Sequence, residues 1–436
     1  MVLPDHSLVL PEPVPAPPPA SAYSYYMDKF LSLFSKSTDW NSPQVSRVPD
    51  YAMGNRKAPI EIQKVAIIGI HGWFPGTILR RVVGEPIGTS AKFSVMMSNA
   101  VTSYLKDNFD HTILERNIGQ IPLEGEGKVQ DRVNLLYEQL LDPTRGWVKV
   151  LKDADLVLIS THSQGVPVSS LLLGKLMDDG LVDPAQQIIG ILGMAGISHG
   201  PYPSLKSSVI VKYVESDPAR ELFDFGDPKS DVSQAYHAVL TKLLQKGVKF
   251  VAVGSWYDQV VPLYSATLQG VNHPNIFRAL YVDAADYQPD FLSHLVVLSL
   301  KLRNYGLSDY GLVVHLSEAL QGNIYGFGTQ GHQAIYEEAK TYTLAMAWIL
   351  DLKPLWSPVE SSSTQVAPSF HAPSRSNPYF LPWILAQIIS DKSISGNAML
   401  SKDLDDTLAL FATWDTMGNK AYKDIRYRLE PLSSKL

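Results

Sequence analysis

The chain has 436 residues, of which 45% are hydrophobic and 18% are charged, and its formal net charge is −6. This length and apolar fraction allow one large core with appendages, whereas the acidic balance and the lack of basic runs argue against a nucleic-acid partner. The absence of cysteine excludes disulfides, thiolate zinc sites and a cysteine nucleophile, and no stretch has transmembrane length or the pattern of a signal peptide.

Residues 1–55 are predicted to be a largely disordered tail. Residues 11–19 are mostly proline, which is typical of a polyproline II spacer that cannot pack into a core. Met27, Phe30, Leu31 and Phe34 then follow helical spacing and predict a short amphipathic helix. This helix would either dock on the folded domain or lie on a membrane surface.

Residues 56–352 are predicted to form the main domain, because strand and helix patterns alternate along them. This alternation predicts an α/β fold with a mostly parallel central sheet and helices on both faces. The first buried strand, residues 64–70, runs directly into the loop His71-Gly-Trp-Phe-Pro-Gly76.

A strand, a sharp turn with a central serine and a helix follow one another at residues 155–177. The turn is Thr161-His162-Ser163-Gln164-Gly165, and this succession predicts a nucleophile elbow. Such an elbow exposes the serine hydroxyl at the carboxyl edge of a parallel sheet, above the N-terminus of the helix. Gly165 suits the close approach of the backbone there, while Thr161 replaces the first glycine of the usual G-x-S-x-G motif.

Candidates for the base and the acid follow in the order Ser…Asp…His. Asp258 comes just after the strand at residues 248–256, and His332 follows Gly331 in a glycine-rich loop that leads into a predicted helix. The pattern predicts Ser163 as nucleophile, His332 as base and Asp258 as the acid. Asp283, at the end of the apolar run 279–282, is the alternative acid.

The other histidines have weaker patterns. His294 and His315 lie in helical patterns, and His71 and His162 belong to the loop motifs, where histidines are usually structural. His199, which follows the strand at residues 188–193, and Phe74 are candidate pocket residues. The long helical insert at residues 286–325 raises the question of whether His332 can reach the serine.

Four motifs resemble those of a fungal family of α/β-hydrolase-fold proteins of undetermined activity: Ile70–Gly76, Gly84–Ser90, Thr161–Gly165 and Gly331-His332. The similarity runs from the first buried strand to near the C-terminus. The elbow is also similar to that of lipases and esterases with Ala-His-Ser-x-Gly. The resemblance implies the α/β-hydrolase fold and a Ser-His-Asp triad, with the backbone N–H groups of Trp73 and Gln164 as the oxyanion hole. It implies no particular substrate.

Three further segments complete the predicted organisation. Residues 198–231, rich in Pro, Asp and aromatic residues, are the predicted lid, residues 353–376 a linker, and residues 377–436 a helical extension. The extension ends in Ser434-Lys435-Leu436, the peroxisomal address. We therefore expect recognition by the peroxisomal import receptor and a place in the peroxisomal matrix, with the cytoplasm as the alternative.

These patterns predict a serine hydrolase that cleaves ester or thioester bonds of a small-molecule or lipid acyl substrate. No pattern of metal ligands is visible, so we expect neither a metal nor a cofactor. The alternative is a catalytically inactive binding or scaffold protein with the same fold. Thr161 and the long insert before His332 favour that alternative.

Overall fold

A parallel sheet of seven strands lies at the centre of the protein: β1 (Leu8–Val9), β2 (Val65–Ile70), β3 (Ile118–Leu123), β4 (Leu156–His162), β5 (Ile188–Met194), β6 (Lys249–Ser255) and β8 (Ile276–Tyr281). Their order in the sheet is β1-β8-β6-β5-β4-β2-β3. All its neighbouring strands pair in parallel. The runs at residues 65–70 and 156–162 are buried throughout, as expected of parallel strands covered on both faces. The predicted α/β class with a mostly parallel sheet is confirmed.

The computed structural model describes residues 8–9, 62–73, 88–207, 217–283, 288–322, 331–351, 365–366, 380–416 and 418–430. The predicted amphipathic helix, Phe74, most of the predicted linker and the C-terminal tripeptide lie outside these residues. Two residues of the linker form a strand, β9 (Gln365–Val366), that pairs antiparallel with β7 (Val271–Asn272).

Helices cover both faces of the sheet. They are α1 (Thr89–Phe109), α2 (Val129–Leu141), α3 (Trp147–Asp153), α4 (Gly165–Asp178), α5 (Asp217–Asp224), α6 (Asp231–Gln245), α7 (Leu263–Ala266), α8 (Phe291–Asn304), α9 (Leu312–Leu316) and α10 (Ala339–Met346). On one face α2, α4 and α6 enclose a core that includes Val133, Leu172 and Leu240, and on the other α1 and α10 contribute Phe93 and Tyr342.

The C-terminal helices pack on α8 and α9 and build a third apolar core. Lys301 on α8 pairs with Asp403 at 3.0 Å, and the indole N–H of Trp414 donates to the carboxylate of Asp290 at 2.9 Å. These helices are α11 (Leu381–Ser390), α12 (Lys392–Ser395), α13 (Ala398–Thr413) and α14 (Lys420–Leu429). Within the described residues, no helix is both long enough and apolar enough to cross a membrane.

The topology brings three loops to one edge of the sheet. β4 lies between β2 and β5, and β6 follows β5. Because all these strands are parallel, the loops that follow β2, β4 and β6 emerge at the same carboxyl edge, where open α/β sheets bind their ligands.

Candidate active site

Ser163 lies in a sharp, strained turn between β4 and α4. Its φ angle is +56°, in the left-handed region that residues other than glycine rarely occupy. Three backbone hydrogen bonds hold this conformation: the Ser163 N–H donates to Met194 O at 3.0 Å, and Ser163 O accepts from the N–H groups of Val166 and Ile197. The turn therefore has the geometry of a nucleophile elbow, with the first residues of α4 directly after the serine.

The elbow requires a glycine at position 165. A Cβ atom there would lie 2.5 Å from Thr161 Oγ1 and 2.6 Å from His71 O, both too close for a real contact. The missing side chain leaves the space that the buried Thr161 side chain fills. Thr161 is thus compatible with the elbow, although it departs from the usual motif.

The loop after β2 passes directly against the serine. A Cβ atom on Gly72 would lie 2.8 Å from Ser163 Cβ, so only glycine permits this approach. The His71 ring fixes the loop, since its Nδ1–H donates to Gly72 O at 2.6 Å and its Nε2 accepts from the Gly125 N–H at 3.3 Å. Trp73 follows and packs against the core. The backbone amides of Trp73 and Gln164 therefore belong to the two segments that flank Ser163.

Asp258 and His332, 74 residues apart, are joined by a hydrogen bond of 2.8 Å between Oδ2 and Nδ1. The other carboxylate oxygen of Asp258 accepts from the N–H groups of Val260 and Val261 at 2.7 and 2.8 Å. Asp258 is only 1% exposed, whereas the His332 side chain is 15% exposed. The carboxylate is therefore held on both oxygens, and the contact with Nδ1 fixes the orientation of the His332 ring.

His162 fastens the loop that carries His332. Its Nε2–H donates to His332 O at 2.8 Å, and the centres of the two rings lie 4.4 Å apart. Since His162 immediately precedes Ser163, this contact brings His332 beside the elbow. Burial, with a smaller effect from His332, lowers the pKa of His162 well below 6.5. His162 is therefore neutral at neutral pH, which suits a donor to a backbone carbonyl.

The long insert does not carry His332 away from the site. The Gly322 N–H donates to Asp258 O at 3.0 Å, near the end of the insert. Cβ atoms on Gly322 and Gly331 would lie 1.9 and 2.3 Å from Tyr257 O, so both glycines pack against the same carbonyl. The chain thus returns, at the end of the insert, to the acid loop, which is the loop after β6 that carries Tyr257 and Asp258. His332 lies in a turn before a 3-10 helix (Ala334–Tyr336), and the predicted helix begins only at Ala339.

The alternative residues have other contacts. His294 Nδ1 bonds to Asp290 O in its own helix, and the ring of His315 contacts that of Phe380. Asp283 Oδ2 is 3.4 Å from the hydroxyl of Tyr281.

The candidate pocket residue His199 is buried, accepts a hydrogen bond from the Gly270 N–H at 3.1 Å and stacks on the ring of His237. Whether His199 also lines a substrate pocket stays a prediction. The described residues contain no group of three or more His, Asp or Glu that could hold a metal ion.

Arg132 is a site residue that the motifs do not indicate. Although it is fully buried, its Nη1 donates to Gln164 Oε1 at 2.7 Å and its Nη2 to His71 O at 2.9 Å. The sequence does carry one indication of its burial, because Arg132 lies on the face of α2 that is otherwise apolar. The residues that α2 buries are 129, 132, 133, 136 and 140.

Comparison with known proteins identifies a family. Residues 22–392 match the sequence model of the YMC0/YMC35 alpha/beta hydrolase domain. No curated protein matches the chain.

Two solved structures are distantly similar. Phospholipase PlaB from Legionella pneumophila, in complex with thio-NAD, is 15% identical with a TM-score of 0.29, covering 44% of this chain and 38% of that one. The lin2722 product from Listeria innocua is 10% identical with a TM-score of 0.33, covering 70% of this chain and 97% of that one. The chain thus spans well under half the length of the Legionella phospholipase. At such TM-scores these similarities add nothing to the family match.

Proposed function

Because this chain belongs to the family of YMC0/YMC35 alpha/beta hydrolase domains, we propose that it is a serine hydrolase that cleaves carboxylic esters or thioesters through an acyl-enzyme. The observation that carries the proposal is the 2.8 Å hydrogen bond between the buried carboxylate of Asp258 and His332 Nδ1, beside a strained Ser163. In this arrangement Ser163 is the nucleophile, His332 the general base and Asp258 the group that holds the imidazole tautomer.

The reaction has two halves. Ser163 Oγ attacks the acyl carbon, its proton passes to His332 Nε2, and the carbonyl electrons move onto oxygen. The tetrahedral intermediate then collapses, the C–O or C–S bond breaks, and the imidazolium gives its proton to the leaving group. Water repeats the sequence on the acyl-enzyme, which releases a carboxylic acid and returns the proton to Ser163. The N–H groups of Trp73 and Gln164 would bind the oxyanion, each worth about 3–4 kcal/mol.

The geometry accommodates both features that favoured an inactive protein. Thr161 fills space that Gly165 leaves, and the end of the insert before His332 packs against the loop that carries Asp258. No observation therefore favours the scaffold alternative over the enzyme. The predicted peroxisomal location is a separate proposal that depends on residues 434–436.

A fluorophosphonate probe tests the proposal, because it reacts only with a serine that an adjacent base activates. We expect the probe to label the purified protein, with the adduct mapped by mass spectrometry to Ser163. Ser163→Ala should abolish both labelling and turnover of p-nitrophenyl esters. Ser198→Ala is the matched control, since this buried hydroxyl contacts Tyr236 and should leave labelling intact. An unlabelled wild-type protein, or an adduct on another serine, would contradict the proposal.

The class of acyl substrate can be determined with the same purified protein. A series of p-nitrophenyl esters of increasing chain length, assayed beside acyl-CoA thioesters, separates the esterase, lipase and thioesterase forms of the proposal.

A further inference from the structure

The guanidinium of Arg132 joins the two segments that flank Ser163. One N–H donates to His71 O, in the loop that leads to Trp73, and another donates to the side chain of Gln164, the residue after the serine. Gln164 is engaged at both ends, because its amide N–H₂ also donates to Gly127 O at 3.2 Å. The Arg132 side chain thus links the loop after β2, which carries Trp73, to the elbow.

This linkage is costly for the folded state. Both acceptors of Arg132 are neutral, so neither compensates its charge, and among the described residues Nε has no hydrogen-bond partner. Burying a cation without a counter-charge opposes folding, and a buried polar group without a partner adds to that cost. Burial lowers the pKa of Arg132 to about 10, which leaves it protonated at neutral pH. Proteins keep such an unfavourable buried group mainly at functional sites.

The distance between the two donor amides must be fixed for an oxyanion hole to work. Donors stabilise the transition state only if they already stand where the negative charge develops, and misplacement by about 1 Å can cost about 100-fold in rate. The His71 carbonyl that Arg132 holds lies two residues before the Trp73 amide, and the Gln164 side chain belongs to the other donor residue itself.

We propose that Arg132 is a positioning residue of the oxyanion hole, which sets the separation of the Trp73 and Gln164 amides by bridging His71 O and the Gln164 side chain. The inference rests on the proposed serine hydrolase function and deepens it. Arg132 is fully buried, so its effect is exerted through the two segments that it connects. Loss of the bridge should therefore weaken binding of the oxyanion more than binding of the substrate.

Substitution of Arg132 by methionine, which keeps an unbranched side chain and much of the volume but removes all donors, is the first test. We expect kcat for a p-nitrophenyl ester to fall about 10- to 100-fold, with KM changed less than about twofold. The inhibition constant of a trifluoromethyl ketone, which forms an oxyanion adduct with serine, should rise by the same factor as kcat/KM falls. Arg132→Lys, which retains a cation and several donors, should recover part of the rate.

Two further variants separate positioning from a general loss of stability. Leu140→Ala opens a cavity in the same helix, at a fully buried residue two turns away, and should lower the melting temperature without changing kcat per labelled serine. Gln164→Ala removes the other end of the bridge but keeps its backbone amide. If Arg132→Met does not fold, Gln164→Ala should still show the loss of kcat and the parallel rise in the ketone constant.

The outcomes are distinguishable from failure of the proposed function. If the wild-type protein does not react with the fluorophosphonate, the serine hydrolase proposal fails and this inference fails with it. If the wild type reacts but Arg132→Met and Gln164→Ala retain its kcat and ketone affinity per labelled serine, only the positioning role of Arg132 is overturned. Equal losses in Leu140→Ala would likewise overturn it, because they would trace to stability alone.

Discussion

At the scale of single residues, the two oxygens of Asp258 have different partners. Oδ1 accepts two backbone N–H groups and Oδ2 accepts His332 Nδ1–H, so all three neighbours are donors. An asparagine has only one oxygen to offer, and its N–H₂ group must face either the backbone amides or the imidazole. Facing the imidazole would favour the wrong tautomer, in which Nε2 carries the proton and cannot act as a base.

This asymmetry leads to a graded prediction for the proposed triad. His332→Ala should lower kcat by about 10⁶-fold and Asp258→Asn by about 10⁴-fold, since the acid acts only through the base. The double variant Ser163→Ala/His332→Ala should be no slower than either single variant, because triad members act as a unit. Ester hydrolysis by the purified variants, with active-site concentration taken from fluorophosphonate labelling of the wild type, measures these losses.

Asp283→Asn is the matched control for Asp258→Asn. Both are aspartates that follow a strand of the same sheet, but it is Asp258 that bonds to His332. We expect Asp283→Asn to retain most of the wild-type rate. An inactive Asp283→Asn beside an active Asp258→Asn would reverse the assignment of the acid.

Site residues could be predicted from the sequence where they belong to a local pattern of strand, turn and helix. Ser163 lies between a run of buried residues and an amphipathic helix, so its elbow was visible in the order of residues alone. Arg132 was missed because its partners are a backbone carbonyl 61 residues away and a side chain 32 residues away. Such a contact exists only in the folded chain, and an arginine in a predicted helix is expected to be exposed to solvent.

At the scale of elements, strand ends were easier to predict than the connections between them. Buried apolar runs predicted β2, β4 and β6, because strands covered on both faces have no polar alternation. The helix predicted directly after His332 begins only at Ala339, since a 3-10 turn comes first. The return of the insert to the acid loop depends on the packing of Gly322 and Gly331 against Tyr257 O, which no local pattern encodes.

The packing of the C-terminal helices on α8 predicts a large cost for one buried phenylalanine. Phe411 on α13 is 5% exposed, and its ring meets that of Phe291 edge to face at 5.0 Å. Phe411→Ala should lower the free energy of unfolding by about 3–5 kcal/mol, through lost burial and the cavity left behind. Urea denaturation followed by tryptophan fluorescence measures this change.

Phe380 provides the matched control, because this phenylalanine at the start of α11 is 51% exposed. Phe380→Ala should change the free energy of unfolding by less than about 0.5 kcal/mol. Similar losses in the free energy of unfolding for the two variants would mean that the C-terminal helices do not unfold cooperatively with the rest of the protein. Tyr422 on α14 bonds to the hydroxyl of Tyr257 at 2.7 Å, next to Asp258, so loosening these helices should also slow labelling of Ser163.

At the scale of the whole molecule, several histidines have lowered pKa values in the folded state, among them the buried His162 and His199 and the partly buried His237. Burial lowers the pKa of His162 and His199 well below 6.5, and it lowers that of His237 to about 4. His199 and His237 stack on each other, with Tyr236 and Arg278 as further neighbours. The unfolded chain would bind protons at these positions near pH 6.5, whereas the folded chain would not.

The sign of this linkage predicts that the protein loses stability in mild acid. Above pH 6.5 the histidines are neutral in both states and contribute no pH dependence. As the pH falls from 6.5 towards 4, the unfolded state gains protons that the folded state excludes, so each histidine lowers stability by up to about 1.4 kcal/mol per pH unit. Carboxylates such as Asp391, whose bond from Tyr310 lowers its pKa below 3.8, act only in a more acidic range.

His237→Gln tests this linkage, because glutamine keeps a polar side chain but does not titrate. Urea denaturation at pH 8 measures the packing cost of the substitution alone, since His237 is neutral there in both states. Between pH 6.5 and 4 the free energy of unfolding of His237→Gln should fall less steeply than that of the wild type, so that the two curves converge in acid. Parallel curves over this range would show that His237 takes up its proton as readily in the folded protein as in the unfolded chain, and His237 would then not contribute to the acid sensitivity.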